Sequence, residues 1–176
     1  MIWGLIYFVN PTNALLQMSK YITLLNILDQ LRAEAPREFK SYYPVSTDKQ
    51  GLDHARGKAF IHLFLKVRYG LLEFGEREFF VTDDPDDGGI DAYYIDEETK
   101  TIFLIQSKFR TNEKNFEEKH IEIREILKMD ADRIADGKVE DEDGKNIMGR
   151  FKGCLMNSRK SPTRLDISGK LFFLRT

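Results

Sequence analysis

Residues 88–110 read GGIDAYYIDEETKTIFLIQSKFR, and this run constrains the fold more than any other part of the chain. Two β-rich stretches flank the polar loop Glu97-Glu98-Thr99-Lys100, the pattern of a β-hairpin. Ile102-Phe103-Leu104-Ile105 is apolar on both alternation phases, as expected of a central strand covered on both faces. Pairing Asp96 with Thr101 leaves a four-residue loop, and the same register carried back sets Asp91 opposite Gln106. Directly opposed residues share a side of the sheet, and so do residues two apart in one strand. Asp91, Gln106 and Lys108 are therefore expected to converge at the hairpin mouth. As structure alone, an Asp91–Lys108 ion pair at a sheet margin contributes only about 0–1 kcal/mol, so stability gives little reason for the arrangement.

Around the hairpin the chain alternates helix and strand signals, which favours an α/β fold. MSKYITLLNILDQLRAEAP, from Met18, places Ile22, Leu25, Leu28 and Leu31 at helical spacing. Met18 is also the expected natural start. After a turn-rich connector, Asp53 stands where a helix N-cap belongs, and the run to Gly70 puts Ala59, Phe60, Leu63 and Val67 on one stripe. Glu78 to Thr82 reads as a short strand, and the Asp/Pro/Gly-rich run up to Gly89 as a turn. Helices are expected over 112–136, with Phe116, Ile123, Leu127 and Ile134 on one side, and over 146–157; a last strand is expected over 170–175. The organisation expected is an N-terminal helical arm and connector over 1–50 and a single domain over 51–176.

The 176 residues carry a formal net charge of -2, so a whole-molecule basic field is absent and any nucleic-acid contact must come from a local patch. Arg110 and Lys114, just past the hairpin, are the first candidates for phosphate contacts, with Arg150, Lys152, Arg159, Lys160 and Arg164 downstream. The single cysteine, Cys154, makes neither an intrachain disulfide nor a thiolate zinc site, which fits a reducing cytoplasm. The apolar run Met1 to Val9 stops at Asn10-Pro11, far short of the roughly 20 residues a membrane span needs. His54, His62 and His120 lack ligand spacing, and His62 is expected to pack rather than to act. No phosphate-cradling Gly-rich loop is present.

Gly88-Gly89-Ile90-Asp91-Ala92 followed by Gln106-Ser107-Lys108 resembles the D…(D/E/Q)xK signature of the PD-(D/E)xK nuclease superfamily, in its Mrr-like Q-x-K form. The block is most similar to the N-terminal nuclease-like region of AIPR (abortive phage infection) proteins, and the likeness covers roughly residues 50 to 176. It implies a restriction-endonuclease-like core, a mixed central sheet flanked by helices. It further implies a Mg²⁺ (or Mn²⁺) dependent endonuclease acting on double-stranded DNA in restriction or phage defence. Catalytic roles then fall to Asp91, Gln106 and Lys108, and metal ligation to Asp91, the Gln106 amide oxygen and the Ser107 carbonyl. Hard divalent cations take such oxygen donors, and an ammonium suits water activation or charge neutralisation. The chain departs from the family pattern in two places. Gln106 replaces an acid, and the helix before the hairpin has no acid between His54 and Leu72; Asp53, Glu73, Glu76 or Asp87 would have to substitute.

Two rival expectations come from other classes. One is a nuclease-like domain that binds nucleic acid without cutting it. The other is an interaction module whose hydrophobic N-terminal arm meets a partner. A homodimer, and a place at the front of a longer protein, are compatible with all three.

Overall fold

A computed structural model describes residues 19–82 and 89–120 together with the backbone of a strand over 168–175. The helices expected at 146–157 and beyond residue 120, and Asp87, lie outside the described residues.

Helix α1 spans Lys20–Ala33 and is capped by Ser19, whose hydroxyl accepts the Ile22 amide at 3.2 Å. Of the expected stripe Leu28 and Leu31 are buried and Leu25 is half-buried, while Ile22 stays 42% exposed and Tyr21 joins the inward face in its place. A 3₁₀ turn over Lys40–Tyr42 leads to helix α2, Lys49–Tyr69. Its cap is Asp48, not Asp53: the Asp48 carboxylate accepts the Gly51 amide at 2.8 Å. A Cβ on Gly51 would meet the Asp48 carboxylate at 2.2 Å, so this glycine is what lets the cap close. At the other end Gly70 closes the helix in the left-handed region, φ 70°.

The single expected stripe on α2 is replaced by burial on several sides. Ala59 packs with Leu28 and Leu31 of α1, while Ile61 and Leu65 join Val81, Ala92 and Ile105 beneath the sheet. His62 meets Tyr42 and Phe74 on a further side. Val67 is 77% exposed. A helix enclosed by neighbours on most of its circumference carries no clean amphipathic period. The same packing sets α1 into the core that α2 supports, and the expected 50/51 boundary falls in the first turn of α2.

The expected strand at Glu78–Thr82 gives way to a short helix. Helix α3 spans Phe74–Phe79, and the Glu76 carboxylate reaches back to the Glu73 amide at 3.4 Å. Only Val81 then bridges to Ala92. Strand β1 (Ala92–Asp96) pairs antiparallel with β2 (Thr101–Lys108) in the register read from the sequence, Asp96 against Thr101 and Ala92 against Ile105. Helix α4 follows over Glu113–Glu118, capped by Asn112, and its Phe116 ring lies 5.6 Å from Tyr21. Strand β3 (Ser168–Arg175) runs parallel to β2 on its other side, so β2 is central in a mixed sheet of order β1-β2-β3. The architecture is mixed helix and strand, with α2 packed on the sheet.

Tyr69, at the end of α2, stacks on Tyr94 of β1 with ring centroids 3.8 Å apart. Burial pushes its phenol up to about 12, and its hydroxyl is buried with no hydrogen-bond partner among the described residues. Tyr69→Phe keeps the stack and removes the unmet hydroxyl, so it is expected to stabilise the fold by about 1 kcal/mol. Thermal unfolding of the two proteins checks this; a lower midpoint for the variant would reveal a partner for the hydroxyl.

Candidate active site

The hairpin ladder breaks at Asp91, and the break decides where its carboxylate goes. In a regular strand a residue's N–H and C=O point to the same edge. Asp91 instead donates its N–H to the Ile105 carbonyl of β2 at 3.0 Å, while its carbonyl accepts the Thr82 amide on the opposite edge at 3.0 Å. This is a β-bulge, which kinks the strand and re-aims the bulged side chain. The next rung would have joined Ser107 to Ile90. The Ile90 carbonyl accepts the Thr82 hydroxyl instead, and the Ser107 amide donates to the Asp91 carboxylate at 2.5 Å. Asp91 thus completes the ladder with its side chain.

Asp91 and Ser107 face a cleft of about 590 Å³ between the end of β2 and the N-terminal half of α2. The helix contributes Asp48, Asp53, His54 and Lys58, Ile61 joins the cleft to the core, and Phe109 closes one side. The Ser107 hydroxyl is buried and has no hydrogen-bond partner among the described residues. Buried polar atoms are nearly always satisfied, so this oxygen marks a place for a water, an ion or a ligand group.

The expected convergence of three polar groups takes a different form. Gln106 and Lys108 are half-buried and do not line the cleft; they alternate with Ser107, which does. The register argument held as far as Ala92, and the bulge moved Asp91 to the side of Ser107. Of the four acids considered as substitutes, Asp53 lines the cleft, Glu73 and Glu76 sit at the start of α3, and Asp87 lies outside the described residues. Arg110, expected as a phosphate contact, is 8% exposed and donates to the His120 carbonyl at 3.3 Å, so it serves the interior after β2. Lys114 is exposed in the first turn of α4. Arg150, Lys152, Arg159, Lys160 and Arg164 lie outside the described residues.

No family model, curated protein or solved structure matches the chain.

Among the described residues no group of three or more His, Cys, Asp or Glu is placed to hold a metal by itself. The carboxylate and hydroxyl donors lining the cleft are Asp91, Ser107, Asp53 and Asp48, and Asp48 is already engaged as the cap of α2. Such a set fits a hard cation that keeps most of its water, as Mg²⁺ does with one or two carboxylates. It does not fit a soft metal, which wants thiolate or imidazole. No helix among the described residues is long and apolar enough to cross a membrane.

Sequence reasoning missed Asp48, His54 and Lys58 as cleft residues. Asp48 four residues before Leu52, with Gly51 three after it, is a capping signal that would have moved the helix start and with it the wall of the cleft.

Proposed function

We propose that the chain is a Mg²⁺- or Mn²⁺-dependent nuclease of restriction-endonuclease-like fold, cutting double-stranded DNA at the cleft that Asp91 and Ser107 face. The observation that carries this reading is the bulge, which presents a carboxylate beside a buried, unmet hydroxyl in an open cleft. Asp91 and Asp53 would hold the cation, with the Ser107 oxygens as further ligands. Bound there, a divalent cation offsets charge growing on the phosphate and lowers the pKa of a ligated water. The cleft's own charge favours this: three aspartates, Asp48, Asp53 and Asp91, face one lysine, Lys58, so a polyanion needs a cation between it and the wall. In the hydrolysis the water oxygen bonds phosphorus, the P–O ester bond breaks, the water proton goes to a base and the leaving oxygen takes a proton. The resemblance assigns Lys108 to orienting that water or neutralising the phosphate and Gln106 to supporting the metal through its amide oxygen; both lie off the cleft lining, so these two roles rest on the resemblance alone. The reading places the protein in the cytoplasm, in restriction or phage defence.

The expected result is nicking or linearisation of plasmid with Mg²⁺ or Mn²⁺, abolished by EDTA and by Lys108→Ala. Equal cleavage by wild type and Lys108→Ala would sink the assignment of Lys108. A second reading, binding without cutting, is favoured by the absence of Gln106 and Lys108 from the cleft lining. It is the outcome if DNA binds but no metal supports cleavage.

A further inference from the structure

One turn along α2 from Lys58, which lines the cleft, four polar side chains are buried together. His62 is 1% exposed, Arg77 and Tyr42 are fully buried, and Glu78 is half-buried. Arg77 Nε donates to His62 Nδ1 at 3.1 Å. His62 Nε2 lies 2.8 Å from the Tyr42 hydroxyl and 3.0 Å from Glu78 Oε2, and the Tyr42 hydroxyl donates to the same carboxylate oxygen at 2.5 Å. Phe74 stacks on the imidazole with centroids 4.9 Å apart.

The bonding fixes the proton inventory. A guanidinium N–H can only donate, so Nδ1 must be the bare, accepting nitrogen. Nε2 then carries the proton and points it at Glu78 and Tyr42. The imidazole is neutral. Protonating Nδ1 would set two N–H donors against each other at 3.1 Å and put a second positive charge beside Arg77.

We propose that this cluster is an acid-released latch: proton uptake on His62 Nδ1 drives Arg77 off the ring and frees α3 and the 3₁₀ turn from α2. The three elements are joined through these residues. Tyr42 comes from the turn, His62 from α2, and Arg77 and Glu78 from α3; Glu34, at the C-cap of α1, accepts from both Arg77 and Lys66. The charges facing His62 are Glu78, Arg77 and Glu34, with Lys66 and Lys58 behind them. Burial lowers the affinity of His62 for a proton, and the nearby carboxylates offset this only in part. Burial raises Glu78, but hydrogen bonds from His62 and Tyr42 overcome it and hold the carboxyl below its usual range.

The sign follows from linkage. The folded state refuses a proton that the unfolded chain accepts, so the stability contributed by neutral His62 is present above about pH 6.5 and declines as pH falls below it. Glu78 titrates lower, beneath the ordinary carboxylate value, which leaves the window from about 6.5 to about 5 to His62.

The test uses the full chain. Long-range ¹H–¹⁵N spectra at about pH 7.5 are expected to show His62 as the Nε2–H tautomer, titrating below the free-histidine value of about 6.5. Between about pH 7.5 and 5.5 the unfolding midpoint is expected to fall by about 3 °C or more, with faster amide exchange in 74–79 and 40–42. His62→Gln keeps an acceptor for Arg77 and a donor for Glu78 but cannot be protonated, so the fall should flatten. An Nδ1–H tautomer, a His62 titration at or above the free value, or an unchanged slope in His62→Gln would each overturn the latch. The spectra need no variant, so a poorly folding His62→Gln leaves the proposal testable, and none of the readouts depends on nuclease activity.

Discussion

Asp91→Asn is expected to leave the fold intact and to remove cation-dependent cleavage by about 100-fold or more, the loss typical of deleting one group that stabilises transition-state charge. The two roles of this carboxylate separate cleanly. As a structural group it accepts the Ser107 amide at 2.5 Å, and a carboxamide oxygen does that equally well. In the proposed role of metal ligand it would supply a full negative charge, which the carboxamide lacks. Asp91→Ala loses both, and the orphaned Ser107 amide should cost a further 1–3 kcal/mol, about the penalty of an unmet buried donor. Calorimetric Mn²⁺ titration, plasmid cleavage and thermal unfolding read the three quantities separately. If Asp91→Asn still binds Mn²⁺ and cuts, the carboxylate is a ladder cap and nothing more.

Arg77→Ala is expected to produce the largest loss of stability among the described residues. The guanidinium is fully buried and donates to four acceptors: His62 Nδ1, the Leu71 and Leu72 carbonyls, and Glu34. Glu34 is 36% exposed and regains water when released, so that ion pair contributes little. Leu72 is 65% exposed and the Leu71 and Leu72 carbonyls are bonded in a part-buried setting, so water can replace Arg77 there, whereas His62 Nδ1 is buried and its unmet acceptor costs about 1–3 kcal/mol. With the packing of the buried arginine stem also lost, a loss of about 3 kcal/mol follows, a large share of the 5–15 kcal/mol that holds a typical domain together. For a chain of this size the midpoint should drop by about 6 °C or more. Denaturant and thermal unfolding check it; a drop under about 2 °C would mean that α3 is not anchored through Arg77. The same variant removes the partner of His62 Nδ1, so its pH dependence should also flatten.

The hairpin was legible in the sequence down to its register. Two β-rich runs around a four-residue polar loop leave few ways to pair, and every described pair from Ala92–Ile105 to Asp96–Thr101 agrees with the reading. The central place of β2 was legible too, because Ile102 to Ile105 are apolar on both phases. The caps of α2 were half-read: Gly70 was visible as a stop, while Asp48 was passed over for Asp53.

What only the tertiary structure decided shares one physical cause: it depends on groups distant in sequence. The bulge at Asp91 exists because Thr82, nine residues earlier, takes both the Asp91 and Ile90 carbonyls, and no periodicity within 88–110 encodes that. Glu78 to Phe79 closes a helix instead of opening a strand because Arg77 and Glu78 are fixed by Glu34, Tyr42 and His62. Arg110 is interior, with its guanidinium donating to the His120 carbonyl ten residues on. Local pattern therefore determined which segments pair and where the chemically suggestive residues stand along them. Long-range hydrogen bonds determined which way Asp91 faces, and with it that Ser107 and the wall of α2, rather than Gln106 and Lys108, share its cleft.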